Sequence, residues 1–190
     1  MKKRIKINGI IMGLALILVA YFRQTFFRPD NPGWLENSLK ITGLLFLLLG
    51  QLIRVSARGY KSEHSKNSHA LIEGGPYQVV RNPMYLGILL IGLGVSLLIF
   101  NWWVAPLFLL IFASRYLPLI LSEEKKLRNM FPGSYEAYCR KVPRMLPRGF
   151  GSMKAGLKES LPVKPAWFKK ELNSIIPLLI LILLFFLWRR

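Results

Sequence analysis

The apolar residues of this chain are gathered into runs, and the charged residues lie almost entirely between those runs. Five runs stand out, at about residues 7–22, 39–53, 84–100, 102–121 and 174–188. A hydrocarbon layer about 30 Å thick is crossed by roughly 20 helical residues rising ~1.5 Å each, with a lower limit of about 17. The third and fourth runs meet that limit. The second and fifth fall short, so flanking Lys, Arg and Trp side chains are expected to reach out to the headgroups. A backbone facing lipid must satisfy its own hydrogen bonds, so all five runs are predicted to be helices. The expected fold is an all-α integral membrane protein with about five transmembrane helices.

Charge orients it. The 190 residues include 27 Lys or Arg and 9 Asp or Glu, a formal net charge of +18. With the N-terminus in the cytoplasm, twenty-one basic residues fall inside and five outside, with Arg115 within a run. That asymmetry predicts a multi-pass chain with its N-terminus cytoplasmic and its C-terminus on the opposite side. Lys2, Lys3, Arg4 and Lys6 before the first run resemble a secretory signal. However, Leu18-Val19-Ala20 is a poor cleavage site and Tyr21 and Phe22 follow at once, so a retained helix is expected. Topology and attraction to anionic membrane lipids account for the positive charge, and nucleic-acid binding is not expected. The single Cys139 excludes an internal disulfide framework, and two histidines are too few for a histidine-rich site, so no metal is expected. His64 and His69 read as solvated loop residues, and Trp167-Phe168-Lys169-Lys170 as an interfacial anchor. Gly87, Gly92 and Gly94 suit close helix packing.

Asn101-Trp102-Trp103 makes the third and fourth runs a tight hairpin whose two ends return to the cytoplasm. Those ends hold the unusual segments. The first is Gly74-Gly75-Pro76-Tyr77, then Arg81-Asn82-Pro83-Met84-Tyr85-Leu86. Asn82 suits an N-cap and Pro83 the first helical position. A helix N-terminus beside an arginine is also a ready site for a carboxylate or phosphate. The second is Glu123-Glu124, followed by Tyr135, Tyr138, Lys141 and Val142-Pro143-Arg144-Met145-Leu146-Pro147. Paired carboxylates at the mouth of the fourth helix, facing an anionic surface, suit a cationic partner or ribose hydroxyls. Tyr135 and Tyr138, three residues apart, share a helix face and could stack on a flat ring.

These segments, in this order and separated by one hairpin, resemble the isoprenylcysteine carboxyl methyltransferase family. The family pattern reads approximately G-P-Y-x-x-x-R-H-P-x-Y, then E-E-x-x-L, F-G-x-x-Y-x-x-Y and V-P-x-x-x-P, and the match covers about residues 70 to 148. The resemblance implies an integral-membrane methyltransferase using S-adenosylmethionine, with a lipophilic acceptor arriving from the bilayer. It implies a donor pocket lined by Tyr77, Asn82, Pro83, Tyr85 and Leu86, with Glu123 and Glu124 on polar groups and Tyr135 and Tyr138 alongside. Arg81, Lys141 and Glu124 would act in catalysis, and Arg81, Lys141 and Arg144 would meet the acceptor. Arg115, as a charge inside the fourth run, independently marks either a scaffold or a residue reaching from the pocket floor to the acceptor. On this reading residues 1–69 hold the first two helices, 70–148 the catalytic core, and 149–190 an interfacial segment and last helix.

The family's usual histidine is Asn82 here, which cannot titrate, and Asn-Pro-Met-Tyr also looks like phosphatidylethanolamine methyltransferases. Gly133 follows Pro132 rather than Phe131 directly, and Lys141 offers a point charge where an arginine would bind bidentately. A phospholipid N-methyltransferase, an NADPH-dependent sterol-type reductase and a non-enzymatic scaffold are the alternatives. The Glu pair favours a cationic donor over a phosphate-bearing nicotinamide cofactor.

Overall fold

A computed structural model describes residues 21–27, 33–65 and 71–147, together with Lys164, Trp167, Phe168, Ile176 and Ile180. Helices form every named element among them: α1 (Arg23–Phe26), α2 (Trp34–His64), α3 (Pro76–Val79), α4 (Pro83–Ile99), α5 (Val104–Met130) and α6 (Ser134–Lys141). Most of the first and fifth apolar runs lies outside the described residues, as does His69. Of the described helices, α2 and α5 are long and apolar enough to cross a membrane, and α4 is shorter at 17 residues.

The helices outrun the apolar segments that announce them. The run at 39–53 becomes a 31-residue helix, because nothing from Arg54 to His64 breaks it and one face of that stretch is buried at Val55, Gly59 and Tyr60. His64 therefore closes a helix rather than lying in a loop, its ring stacked on Tyr60 with centroids 3.9 Å apart. Likewise α5 continues past Leu121 to Met130, so that Glu123 and Glu124 ride on the helix itself. Pro132 and Gly133 then turn the chain into α6, with Gly133 at φ +77° where a side chain would be strained.

Glycines set how α2 meets α4. A Cβ on Gly43 would lie 2.8 Å from the Gly94 carbonyl oxygen, and one on Gly50 2.8 Å from that of Gly87. The pairs are reciprocal: a Cβ on Gly94 would lie 2.7 Å from the Gly43 oxygen, and one on Gly87 2.8 Å from the Gly50 oxygen. Two backbones touch at two levels seven residues apart, which only glycine permits. In turn α5 runs back along α4, Gly92 making room for the Phe108 ring and Tyr85 facing Tyr116 at 5.8 Å between centroids.

The turn between α4 and α5 is clasped by the segment around α1. The Asn101 N–H donates to the Phe26 carbonyl at 2.8 Å, and Asn101 Nδ2 to the Thr25 carbonyl at 2.7 Å. Trp103 Nε1 donates to the same Thr25 carbonyl, while Trp102 stays exposed.

Substituting Gly50→Ala is expected to destabilise the protein by about 1–3 kcal/mol, since backbone cannot yield as a side chain does. Gly33→Ala, whose new methyl meets nothing within 4 Å, should lose well under half as much. Thermal unfolding in detergent compares the two.

Candidate active site

The sequence brings Glu124 to the inner side of α5, where it is 4% exposed. A buried carboxylate is tolerated only when paired and hydrogen-bonded, and this one is saturated. Arg144 grips it through three donor contacts, Nε to both oxygens at 3.1 Å and Nη2 to Oε2 at 2.9 Å. Asn82 Nδ2 donates to Oε1 at 3.1 Å, and Arg81 Nη2 stands 3.7 Å from the same oxygen. The charged hydrogen bonds hold the Arg144 guanidinium protonated well above its ordinary range.

This cluster fastens three segments at once. The chain after α6 lies along the approach to α4, where the Arg81 N–H donates to the Pro143 carbonyl at 2.8 Å and the Asn82 N–H to that of Arg144 at 3.2 Å. Asn82 thus occupies the N-cap position of α4 without capping it. Its side chain turns to Glu124 instead, because a hydrogen bond to a carboxylate outweighs one to a helix amide.

Glu123, one residue earlier and about 100° around the helix, is exposed. It accepts a hydrogen bond from the Tyr85 hydroxyl at 2.8 Å. The two ends of the α4–α5 pair therefore meet on one side, Tyr85 on Glu123 and Asn82 on Glu124.

The tyrosines divide by burial. Tyr135 is 1% exposed and packs with Tyr138 and Val142 against Leu71, Leu127 and Phe131, so neither ring of the pair offers a free face. The Tyr138 hydroxyl donates to the Tyr77 carbonyl at 2.6 Å. Burial pushes the Tyr77, Tyr135 and Tyr138 phenols up, with the Glu123 charge adding to the effect at Tyr77. All three stay neutral hydroxyls at physiological pH.

The structure brings together Tyr77, Arg81, Asn82, Pro83, Tyr85, Glu123, Glu124, Tyr138 and Arg144, with Leu86 buried on the first turns of α4. Arg115 and Lys141 are exposed, and neither hydrogen-bonds or ion-pairs with the Glu124 cluster. Arg81 also contacts the Cys139 sulfur, and its buried Nε has no hydrogen-bond partner among the described residues. That sulfur contact was not signalled by the sequence, since the two residues lie 58 positions apart. Among the described residues no group of His, Cys, Asp or Glu could hold a metal ion.

The Trp167 indole, expected at the lipid interface, is buried against α2 at Val55 and Tyr60, its N–H donating to Glu63 Oε1 at 2.9 Å. Lys164 Nζ takes the other Glu63 oxygen at 2.8 Å. Gly59 supplied the one hint, a glycine in mid-helix leaving room for a ring.

Comparison with known proteins follows the same residues. The sequence model of the family described as "Phospholipid methyltransferase" matches residues 39–134, half of the chain. The protein-S-isoprenylcysteine O-methyltransferase of Schizosaccharomyces pombe is 37% identical over 61% of this chain and 54% of its own length. A probable protein-S-isoprenylcysteine O-methyltransferase of Oryza sativa subsp. japonica is 30% identical over 72% of this chain and 75% of its own. The cobalt-zinc-cadmium resistance protein CzcN of Cupriavidus metallidurans is 30% identical over 60% of this chain and 52% of its own. The chain thus spans about half the length of the fission-yeast relative. No solved structure matches it. On the matched helices and the residues they carry, the chain belongs to the phospholipid methyltransferase family, with protein-S-isoprenylcysteine O-methyltransferases among its relatives.

Proposed function

We propose that the protein is an integral-membrane methyltransferase that uses S-adenosylmethionine to methylate a lipophilic or lipidated acceptor of the prenylcysteine carboxylate type. One observation carries the reading: α4 and α5 bring Tyr85 onto Glu123 and Asn82 onto Glu124 at a single end. The names of the relatives support it. On this reading five helices cross the membrane, the N-terminus is cytoplasmic, and the site faces the cytoplasm at the mouth of the hairpin.

The residues present fit the donor. An amino-acid tail on a sulfonium carries cations and one carboxylate. The site offers the exposed Glu123 carboxylate, with one oxygen taken by Tyr85, and a buried Arg81 Nε whose hydrogen is unclaimed among the described residues. When bound, S-adenosylmethionine supplies an electrophilic methyl on a cationic sulfur. Tyr77, Asn82, Pro83 and Tyr85 then orient it, and alignment with exclusion of water lowers the barrier by about 7–11 kcal/mol in well-oriented systems. A carboxylate acceptor is already a nucleophile and needs no base. An amine acceptor must lose a proton, and Glu123 is the group free to take it, because Arg144 and Asn82 occupy Glu124. Arg81 and Lys141 draw an anionic acceptor, with Arg144 committed to Glu124.

A phospholipid amine is the second reading, favoured by the family description and by Asn82 in Asn-Pro-Met-Tyr. Transfer of labelled methyl in native membranes, followed by identification of the labelled molecule, separates the two.

S-adenosylhomocysteine is expected to raise the melting temperature of the detergent-purified protein. Folded protein that shows no shift at saturating ligand would overturn the methyltransferase reading.

Glu123→Gln and Glu124→Gln are both expected to weaken S-adenosylhomocysteine binding by at least tenfold, matching loss of a charged hydrogen bond of about 1.5–3 kcal/mol. Only Glu124→Gln should also lower the unliganded melting temperature, because it alone removes a buried charge from Arg144 and Arg81. Equal melting temperatures for the two variants would refute this division of roles.

A further inference from the structure

Trp167 lies beyond the residues matched by the family, and nothing in the reaction calls for it. Its environment is nonetheless built. The ring lies on Gly59, where any Cβ would overlap it, between Val55 and Tyr60. The indole N–H donates to Glu63 Oε1, Lys164 Nζ holds Oε2, and the Lys164 ammonium stands 5.7 Å from the Trp167 ring centroid. Only 4% of the residue remains exposed.

What packs on the cluster that Trp167 completes gives the arrangement its meaning. Ile72 and Tyr77 pack against the same cluster. Tyr60, its neighbour there, lies 2.7 Å from where a Cβ on Gly75 would stand, and Gly75 adopts φ +59° to start α3. The segment from Gly74 to Asn82 is therefore held from two directions. From α6 and beyond, Tyr138 binds the Tyr77 carbonyl and Pro143 accepts from the Arg81 N–H. On the α2 side, the cluster of Val55, Tyr60 and Trp167 backs Tyr77, and Tyr60 lies under the Gly75 turn.

We propose that Trp167 is a positioning residue for methyl-donor binding: seated on Gly59 and Glu63, it fixes the segment that carries Tyr77, Arg81 and Asn82. This rests on the methyltransferase reading above. Trp167 acts through the cluster on which Tyr77 packs and touches no reacting atom.

The test measures S-adenosylhomocysteine affinity of the full-length protein in detergent by calorimetry, with melting temperature and circular dichroism recorded for each variant. Trp167→Phe keeps a ring and loses the N–H. Glu63→Ala removes its acceptor, and Glu63→Gln keeps an acceptor. Trp167→Phe and Glu63→Ala should each raise Kd about tenfold, the worth of a hydrogen bond to a charged group. Glu63→Gln should recover most of the affinity, which a loss of bulk stability alone would not produce. In the unliganded protein, amide hydrogen exchange between Tyr77 and Asn82 should quicken in Trp167→Phe. If Trp167→Ala folds, its Kd should rise further; if it does not, the Trp167→Phe and Glu63→Ala pair decides. Wild-type affinity in folded Trp167→Phe and Glu63→Ala overturns the positioning role and leaves the methyltransferase reading standing. A wild-type protein that binds no S-adenosylhomocysteine overturns both.

Discussion

The contact of α2 with α4 through bare backbone sets the height of everything above it. Lipid tails are as apolar as leucine, so helices in a bilayer gain little by burying leucines against each other and associate through close packing. Gly43 on Gly94 and Gly50 on Gly87 supply that packing at two levels, and two levels fix both the crossing and the axial register. A slide by one residue would bring side chains onto the glycine seats. With the register fixed, Pro83 at the head of α4 lies beside the polar extension of α2, and the Tyr77 hydroxyl points at the Ala57 carbonyl 3.5 Å away.

On that platform one buried charge organises the site. Glu124 cannot stay ionised away from water without partners, and the chain supplies them from segments distant in sequence: Arg81 and Asn82 before α4, and Arg144 after α6. The carboxylate thereby draws the Val142–Pro147 segment over the start of α4. Its neighbour Glu123 does the opposite, keeping a carboxylate at the surface with Tyr85 as its only hydrogen-bonding partner in the described residues. Adjacent acids of identical chemistry thus take separate tasks, one holding the site together and one facing outward.

Much of this was legible in the linear chain. The Gly-Pro-Tyr and Arg-Asn-Pro-Met-Tyr segments, the Glu pair and the Val-Pro segment identified the residues that meet, and Gly87, Gly92 and Gly94 were readable as packing glycines. Their partners Gly43 and Gly50 carry no such mark, because a glycine in an apolar run gives no sign of which helix it faces. Asn82 read as a helix cap, since capping is a local preference that a remote carboxylate can outbid. Trp167 read as an interfacial anchor because aromatic and basic neighbours commonly mark that place, and nothing local revealed the Gly59 seat more than a hundred residues earlier.

By itself the sequence determined helical class, the order of the elements and the set of chemical groups, because run length, motif order and residue type are properties along one dimension. Tertiary structure alone decided which of Glu123 and Glu124 is buried, which glycines touch, and that Trp167 turns inward. The first two are matters of rotation about a helix axis, where successive residues differ by about 100° and only a packed neighbour fixes the phase, and the third depends on the Gly59 seat far away in the chain.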